Sequence, residues 1–329
     1  MHGWFIADDM RDLCGLLFGV TVIYAYYFQV FFTKFNTLSS KLNYGKKLMI
    51  IRHVKKKFQY GLMKHPIPFS LSDYKALQKG PILFANSLPK AGTHLLRRLL
   101  CLLPNTSSMW SYHFDEAIDG VGNYKQLFNP SHGQVITGHV PYSKSIMQVL
   151  DAHNYCNFFM LRDPRDVVVS GAHYITNMDH THRLSSYFKS LPSDHERIMA
   201  TIQGIDGNLL KDGIRSKSIG EHLDGFLGWM EEPSCLIVKF EDLIGSAGGG
   251  DESHQINIIK EIINHIGLIL PEHEIKQISS QVFSSKSKTF RSGQINGWKN
   301  RLSDEHKIAI KELAGGALIK MGYEKDYNW

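Results

Sequence analysis

Cysteine is scarce in this chain of 329 residues, and its four cysteines lie far apart in the sequence. They form neither a disulfide framework nor a Cys-x-x-Cys metal site, which favours a reducing compartment. The seventeen histidines likewise show no His-Glu-x-x-His or other tight metal-ligand spacing. A composition of 43% hydrophobic and 21% charged residues excludes a fibrous chain, a disordered chain and a protein with many membrane spans.

Acidic side chains are missing from one long stretch of the chain. Residues 34–72 contain nine lysines and arginines and no aspartate or glutamate. Because the whole chain has a formal net charge of +6, the remainder carries about −3, and we expect no nucleic-acid partner. The basic stretch is either a solvated helical face on a connecting segment or a surface for anionic lipid headgroups, and both interpretations stay open.

Charge of either sign is missing from residues 13–33, a run of 21 residues. As a helix this run would be about 31 Å long, close to the roughly 30 Å hydrocarbon core of a bilayer. Acidic residues before it and large aromatic residues at its end argue against a cleaved signal peptide, whereas a buried or interfacial helix stays open. We expect a transmembrane or anchoring helix, with membrane contact through residues 13–57 and, by the positive-inside rule, the following domain on the cytoplasmic side.

Short apolar runs alternate with helical patterns after residue 80. Strands are expected at residues 81–86, 134–137, 155–161 and 235–240, and helices at residues 93–103, 164–175, 222–230 and 256–266. This alternation predicts βαβ units, and therefore a three-layer α/β fold with a mostly parallel central sheet and helices on both faces. The predicted organisation is a tail at 1–12, a membrane helix at 13–33, a basic connecting segment at 34–79 and one domain at 80–329.

The first predicted strand runs directly into a loop that is typical of phosphate binding. Residues 87–100 read SLPKAGTHLLRRLL, so that Lys90 and Gly92 lie between a strand and a helix that begins near Thr93. Backbone N–H groups and the positive end of the helix can surround a phosphate there, with Lys90 as a point charge. The loop is not a Walker A sequence, because its lysine precedes its glycine, and an ordinary strand-to-helix turn is the alternative.

A second cationic loop follows the strand predicted at 155–161. The next residues read RDPRDVVVSGAHY, which puts Arg162 at the carboxyl end of the strand, where ligands bind in open α/β sheets. Arg165 and Ser170 follow closely and could contribute to a second phosphate site. In the alternative interpretation the arginines pair with neighbouring aspartates, of which Asp163 also caps the following helix.

Four motifs together resemble the sulfotransferase family that uses 3'-phosphoadenosine 5'-phosphosulfate. SLPKAGTHLL at 87–96 is similar to the family's 5'-phosphosulfate loop, and LRDPRDVVVS at 161–170 is similar to its 3'-phosphate motif. VKFEDL at 238–243 resembles the family's YEDL at a strand end, and FRSGQINGWKN at 290–300 resembles its RKGxxGDWKN segment. Because the motifs occur in the family's order and approximate spacing, the resemblance covers residues from about 80 to 329.

The resemblance implies a P-loop-like phosphosulfate-binding loop, a bound phosphosulfate donor as co-substrate and no metal. Its donor-contacting residues would be Lys90, Ala91, Gly92, Thr93, His94, Arg162, Ser170, Arg291, Ser292 and Gly293. ITGHVP at 136–141 matches the strand end that carries the family's catalytic histidine, so His139 would take a proton from the acceptor. Lys90 would stabilise the leaving phosphate. The alternative for His139 is a packing or capping histidine.

The acceptor is expected to be a small or lipid-like molecule with a hydroxyl or amine group. Residues expected to line or cover its site are Phe114, Tyr142, His173, Tyr174 and residues 176–213. The chain departs from the family where His94 replaces a common aromatic residue and Ser292 replaces the lysine of RKG, and an adenine-contacting tyrosine has no evident counterpart.

Two other functions stay open at this point. One is a lumenal, Golgi-type carbohydrate sulfotransferase anchored by residues 13–33 in a type II arrangement. The other is a membrane-docked nucleotide-binding protein without catalysis. A homodimer is compatible with each of the three functions.

Overall fold

The computed structural model describes residues 77–106, 113–114, 127–128, 130–283 and 294–329. Its strands are β1 (Leu83–Ser87), β2 (His113–Phe114), β3 (Val135–Gly138), β4 (Cys156–Leu161) and β5 (Cys235–Lys239). They form a sheet in the order β2-β3-β1-β4-β5, and every neighbouring pair is parallel. The mostly parallel sheet expected from the sequence is therefore confirmed.

The helices in the described residues fall between the strands and after the last of them. They are α1 (Thr93–Leu100), α2 (Lys144–Ala152), α3 (Pro164–His173), α4 (Ser185–Ser190), α5 (Asp194–Gln203), α6 (Ile219–Asp224), α7 (Phe240–Leu243), α8 (Glu252–Ile266), α9 (Glu272–Val282) and α10 (Asp304–Lys320). A π-helical turn (Tyr174–Met178) extends α3, and 3-10 turns occur at Leu227–Glu231 and Gly297–Asn300, among others.

Both faces of the sheet are buried, which explains why the strands read as nearly continuous apolar runs. Side chains alternate along β4, so that Phe158 and Met160 pack with α1, α8 and α9, whereas Phe159 and Leu161 pack on the opposite side. That opposite side is covered by α2, α3, α5, α6 and α10. The expected three-layer α/β architecture is confirmed, with two apolar cores separated by the sheet.

One expected helix, at residues 222–230, is wrong as a single element. α6 ends at Asp224, and a separate 3-10 turn follows from Leu227. The backbone N–H of Tyr142 donates to the carbonyl of Gly225 at 2.7 Å, and a Cβ on Gly228 would lie 2.2 Å from the Tyr142 ring. The segment after β3 thus uses the carbonyl of Gly225 and fills the space beside Gly228. For this reason a regular α-helix does not continue through these residues.

Within the described residues, no helix is both long enough and apolar enough to cross a membrane. Residues 13–33 and the basic stretch at 34–72 lie outside the described residues. The membrane helix, and the membrane contact through residues 13–57, therefore stay predictions from the sequence.

A buried amide joins β1 to the segment that follows β3. The side chain of Asn86 is fully buried, its Nδ2 donates to the carbonyl of Val140 at 2.8 Å, and its Oδ1 accepts from the Val140 N–H at 2.9 Å. The indole N–H of Trp229 donates to the same carbonyl at 2.9 Å. These bonds fix the position of the preceding residue, His139, at the carboxyl edge of the sheet.

We expect Asn86→Ala to lower the free energy of unfolding by about 1–3 kcal/mol, because the Val140 N–H would lose its partner in the interior. Urea denaturation followed by circular dichroism measures the change. The matched control Asn208→Ala removes an exposed asparagine and should change stability by less than about 0.5 kcal/mol. Equal midpoints for the two variants would contradict the role assigned to Asn86.

Candidate active site

The loop between β1 and α1 follows an unusual backbone path. Lys90 has φ of 69° and Gly92 has φ of 104°, both in the left-handed region. A Cβ on Gly92 would lie 2.6 Å from the Phe240 ring and 3.0 Å from the Met160 side chain. Position 92 therefore requires glycine for two reasons: its backbone conformation and the lack of room for a Cβ. The result is a tight loop that ends at the first turn of α1, as the sequence predicted.

The Lys90 side chain crosses towards α3 and the turn that extends it. Its Nζ lies 3.6 Å from the centroid of the Tyr174 ring, and the Tyr174 hydroxyl donates to Asp179 at 3.1 Å. The pKa of Lys90 is lowered from 10.5 to about 8, first by burial and then by the positive charge of Arg162, while Asp179 opposes the shift. Two cations thus lie close together at this edge, an arrangement that an anion would relieve.

Arg162 joins three parts of the chain. Its Nη1 donates to the carbonyl of Lys90 at 3.4 Å, and its Nη2 donates to the carbonyl of Gln294 at 3.1 Å. The guanidinium carbon lies 4.4 Å from the centroid of the Phe240 ring. In the part of the chain that the structure describes, Arg162 Nε is buried without a hydrogen-bond partner, so the side chain retains a donor for a ligand.

Arg165 has a different role from Arg162, although both belong to the same short motif. It is buried, and its guanidinium bonds to Asp163 at 2.8 and 2.9 Å and to Glu324. Trp298 and Trp329 flank it, with centroids at 4.0 and 4.6 Å. For Arg165 the pairing interpretation is confirmed, and its place in a phosphate site is wrong, because the interior carboxylates already use its donors.

The aspartates of this motif hold neighbouring segments in place. Asp163 caps α3 by accepting from the Arg165 N–H at 2.9 Å, and Asp166 accepts from the Trp298 N–H at 2.8 Å. Burial raises the pKa of Asp166, while Arg162 acts in the opposite direction. The bond to Trp298 docks the start of the C-terminal segment beside Arg162.

Three residues of the expected donor site, Arg291, Ser292 and Gly293, lie outside the described residues. Gln294, which directly follows them, accepts a hydrogen bond from Arg162. Among the other expected donor contacts, Ala91 is buried, His94 is exposed on the first turn of α1, and Ser170 is half-buried on α3.

His139 directly follows β3 and faces Ser87, the last residue of β1, the strand that leads into the phosphate loop. Its Nδ1 is 2.9 Å from the carbonyl oxygen of Ser87 and 3.3 Å from the Ser87 hydroxyl. Because a carbonyl oxygen can only accept, Nδ1 carries the proton and Nε2 carries the lone pair. The imidazole therefore has the tautomer that a general base needs at Nε2.

Two further histidines lie beside His139, and neither was expected from the sequence. The His113 ring lies 4.9 Å from the His139 ring at 76°, and its Nδ1 is 2.9 Å from the Thr137 hydroxyl. The pKa of His222 is lowered to about 4, first by burial and then by the positive charges of protonated His139 and of Lys217, so His222 is neutral at pH 7. His113 pairs with Thr137 between β2 and β3, a register that the sequence alone does not show.

The residues expected around the acceptor lie at several different places in the structure. Tyr174 lies over Lys90, and the neighbouring His173, at the C-terminal end of α3, has its Nδ1 3.0 Å from Asn177 Nδ2. Tyr142 donates to Glu232 at 3.2 Å. Phe114 is a correction, because its side chain is fully buried in the core and it reaches the site through its carbonyl, which accepts from the His139 N–H at 3.3 Å.

These features define a class of protein. A tight cationic loop, an arginine with a buried unpaired donor and a histidine of fixed tautomer converge at the carboxyl ends of β1, β4 and β3, where parallel α/β enzymes bind their ligands. The cations and the Gly92 cradle fit a phosphate-bearing ligand. In the described residues no group of three or more His, Cys, Asp or Glu side chains is arranged to hold a metal ion.

Comparison with known proteins agrees with this class. Residues 81–249 match the family model of the sulfotransferase domain, slightly more than half of the chain, and the chain therefore belongs to the sulfotransferase family. The resemblance seen in the four motifs is confirmed, and the protein is a sulfotransferase.

The matched relatives are distant in sequence. Sulfotransferase 2A6 of Mus musculus is 23% identical over 261 residues, covering 70% of this chain and 81% of the relative. The 3-alpha-hydroxysteroid sulfotransferase of Cavia porcellus is 26% identical over 165 residues, 47% of this chain and 51% of the relative. The crystal structure of mouse sulfotransferase SULT7A1 complexed with PAP aligns with a TM-score of 0.51 and 15% identity, covering 74% of this chain and 87% of that chain.

The two arginines of the motif provide a matched test of these assignments. We expect Arg165→Ala to lower the free energy of unfolding by about 3–5 kcal/mol, because the buried Asp163 and the half-buried Glu324 would lose their partner. Arg162→Ala should lower it by a smaller amount, because Arg162 donates to two backbone carbonyls and its loss leaves no carboxylate without a close hydrogen-bond partner. Urea denaturation of both variants measures the two changes. A larger loss of unfolding free energy in Arg162→Ala than in Arg165→Ala would overturn the distinction.

Proposed function

We propose that this sulfotransferase transfers a sulfuryl group from 3'-phosphoadenosine 5'-phosphosulfate to a hydroxyl or amine of a small or lipid-like acceptor. The observation that carries the proposal is the convergence of Lys90, Arg162 and His139 from three strand ends at one edge of the sheet. Such an edge offers charge for two phosphates and a base for an acceptor.

The proposed donor site has two parts. Lys90, Gly92 and Thr93, with the loop amides of Ala91 and His94, hold the 5'-phosphosulfate at the start of α1. Arg162 and Ser170 hold the 3'-phosphate, and the C-terminal segment with Arg291, Ser292 and Gly293 closes over it. Two observations support this division: the buried unpaired Nε of Arg162, and the bond from Arg162 to Gln294.

The proposed chemistry needs little covalent work from the protein. When bound, the donor supplies the sulfuryl group and a phosphate that leaves. His139 Nε2 takes the proton of the acceptor hydroxyl as the acceptor oxygen bonds to sulfur. The protonated Lys90 stabilises the negative charge that develops on the departing phosphate oxygen. Positioning of the two reactants by the sheet edge supplies the remainder of the catalysis.

The Ser87 carbonyl supports the role of His139. After proton transfer the imidazole carries positive charge, and the Nδ1–H···O=C bond of 2.9 Å stabilises that charged form. The same bond keeps Nε2 pointing away from β1. His139 is therefore proposed as the general base and Lys90 as the group that stabilises the leaving phosphate.

The acceptor class rests on sequence similarity more than on geometry. One matched relative is named as a 3-alpha-hydroxysteroid sulfotransferase, which supports a hydrophobic alcohol among the acceptors to be tried first. The half-buried Tyr142, Tyr174 and His173 provide aromatic surface for such a molecule.

Transfer of labelled sulfate from 3'-phosphoadenosine 5'-[³⁵S]phosphosulfate to a panel of acceptors tests the proposal. The panel contains a hydroxysteroid, a phenol, a long-chain alcohol, an aryl amine and an oligosaccharide. Label in a small alcohol, phenol or amine supports the proposal, label in the oligosaccharide alone supports the carbohydrate enzyme, and donor binding without label in any acceptor supports the non-catalytic alternative. Protease protection in sealed vesicles then distinguishes cytoplasmic from lumenal placement of the domain.

We expect His139→Ala to lower kcat by about 10²- to 10⁴-fold, because the general base is removed, while donor affinity changes little. Steady-state transfer and calorimetric binding of 3'-phosphoadenosine 5'-phosphate measure the two effects. The matched control His273→Ala removes an exposed histidine on α9 and should retain wild-type turnover. Near-wild-type turnover of His139→Ala would refute the assignment.

Donor binding should be linked to protonation of Lys90. With a pKa of about 8, roughly half of Lys90 is neutral at pH 8, and an anion that binds there favours the charged form. Binding of 3'-phosphoadenosine 5'-phosphate at pH 8 is therefore accompanied by proton uptake, and its affinity falls as pH rises through 8. Calorimetry in two buffers of different ionisation enthalpy measures the uptake.

The variant Lys90→Arg provides the control for this linkage, because arginine stays protonated throughout the range. Its proton uptake should be close to zero. Equal uptake by the variant and the wild type, or release of protons by the wild type, would show that Lys90 does not contact the anion.

A further inference from the structure

A hydroxyl lies between the donor loop and the proposed base. Ser87, the last residue of β1, is fully buried. Its Oγ is 2.6 Å from the Thr93 hydroxyl and 3.3 Å from Nδ1 of His139. Thr93 is the first residue of α1, directly after the phosphate loop, whereas His139 belongs to a different strand end. Ser87 therefore contacts both halves of the site.

An acceptor bound beside Thr93 gives the hydrogens of this chain a single direction. His139 Nδ1 carries a proton, as its bond to the Ser87 carbonyl requires, so the Ser87 hydroxyl accepts from Nδ1. The Ser87–Thr93 contact permits either hydroxyl to donate, and when Thr93 gives its proton to a further acceptor, the Ser87 hydroxyl donates to Thr93 Oγ1. The proposed occupant of the loop, a phosphate oxygen, is such an acceptor.

Hydrogen bonds that run in one direction strengthen one another. A phosphate oxygen that accepts from Thr93 polarises the Thr93 hydroxyl, which makes Thr93 Oγ1 a better acceptor for Ser87. The Ser87 oxygen in turn becomes a better acceptor for Nδ1–H. Electron density at the imidazole rises as a result, and Nε2 becomes more basic.

We infer that Ser87 is a positioning residue that couples the two half-sites, so that an occupied donor loop strengthens His139 as a base through the Thr93–Ser87–His139 chain. The inference rests on the proposed function and goes beyond it, because the proposed roles of Lys90 and His139 need no communication between the donor loop and the base. This role explains why the buried end of the apolar strand β1 carries a serine at position 87 and not an alanine or a valine.

Kinetics of Ser87→Ala provide the first test. The alanine fits the space, so the variant is expected to fold. Its kcat should fall by about tenfold or more, part of the roughly 10²- to 10⁴-fold that a positioned base contributes, while KM for the donor changes by less than about threefold. The matched control Ser279→Ala removes another buried serine hydroxyl, one that bonds to Gln255 at 2.8 Å, and should retain wild-type kcat.

Nuclear magnetic resonance of the ¹⁵N-histidine-labelled protein provides a readout that a merely structural role would not move. The Nδ1–H signal of His139, assigned by its loss in His139→Gln, should shift downfield when 3'-phosphoadenosine 5'-phosphate is added to the wild type. In Ser87→Ala the same ligand should bind with an affinity within about threefold of wild type, yet the signal should stay in place.

The possible results distinguish a failure of the coupling through Ser87 from a failure of the proposed function on which it rests. If the wild type transfers sulfate and the Nδ1–H signal moves equally in Ser87→Ala, the coupling is wrong and the proposed function stands. If Ser87→Ala loses donor affinity and kcat by the same factor, Ser87 serves donor binding alone and the coupling is again overturned. If the wild type binds no 3'-phosphoadenosine 5'-phosphate, the proposed function itself fails.

Discussion

The contact of Arg162 with the phosphate loop and with the C-terminal segment is the interaction on which the rest of the site depends. One guanidinium bonds to the carbonyls of Lys90 and Gln294 and lies on the Phe240 ring, which in turn occupies the space that a side chain at Gly92 would need. Segments far apart in the sequence thereby meet at a single charged group. Burial, and after it the same charge, lowers the pKa of Lys90, so the edge is prepared for an anion before any ligand arrives.

Behind this edge, an interior network supplies the rigidity. Arg165 neutralises Asp163 and Glu324, and Glu241 accepts from the Asp163 N–H at 3.0 Å and from the Tyr323 hydroxyl at 3.0 Å. Burial raises the pKa of Glu241, because its carboxylate is held away from water. Once paired, these buried charges fix the start of α3 and therefore the direction of Arg162. A buried pair of this kind costs desolvation, and its contribution here is to geometry more than to net stability.

The fold was predictable because the strands are apolar runs between helical patterns, and the phosphate loop was predictable because Lys90 and Gly92 lie within a few residues of a strand and a helix. Which of the two arginines faces the ligand site and which is paired in the interior was not predictable. The partners of Arg165 at Trp298, Glu324 and Trp329 are more than 130 residues away in the sequence. Asn86 and Ser87 were missed for a similar reason. Their partners, Val140 and His139, come from another strand, although two polar residues at the end of an apolar run were a usable signal.

We propose that the edge formed by Lys90 and Arg162 binds a nucleotide through two separate phosphates. Calorimetric titration of the full chain with 3'-phosphoadenosine 5'-phosphate and with adenosine 5'-phosphate tests it most directly. We expect the bisphosphate to bind at least about tenfold more tightly to the wild type, since a charge-assisted contact contributes roughly 1.5–3 kcal/mol, and we expect Arg162→Ala to remove most of this preference. Equal affinities of the wild type for the two nucleotides would contradict it.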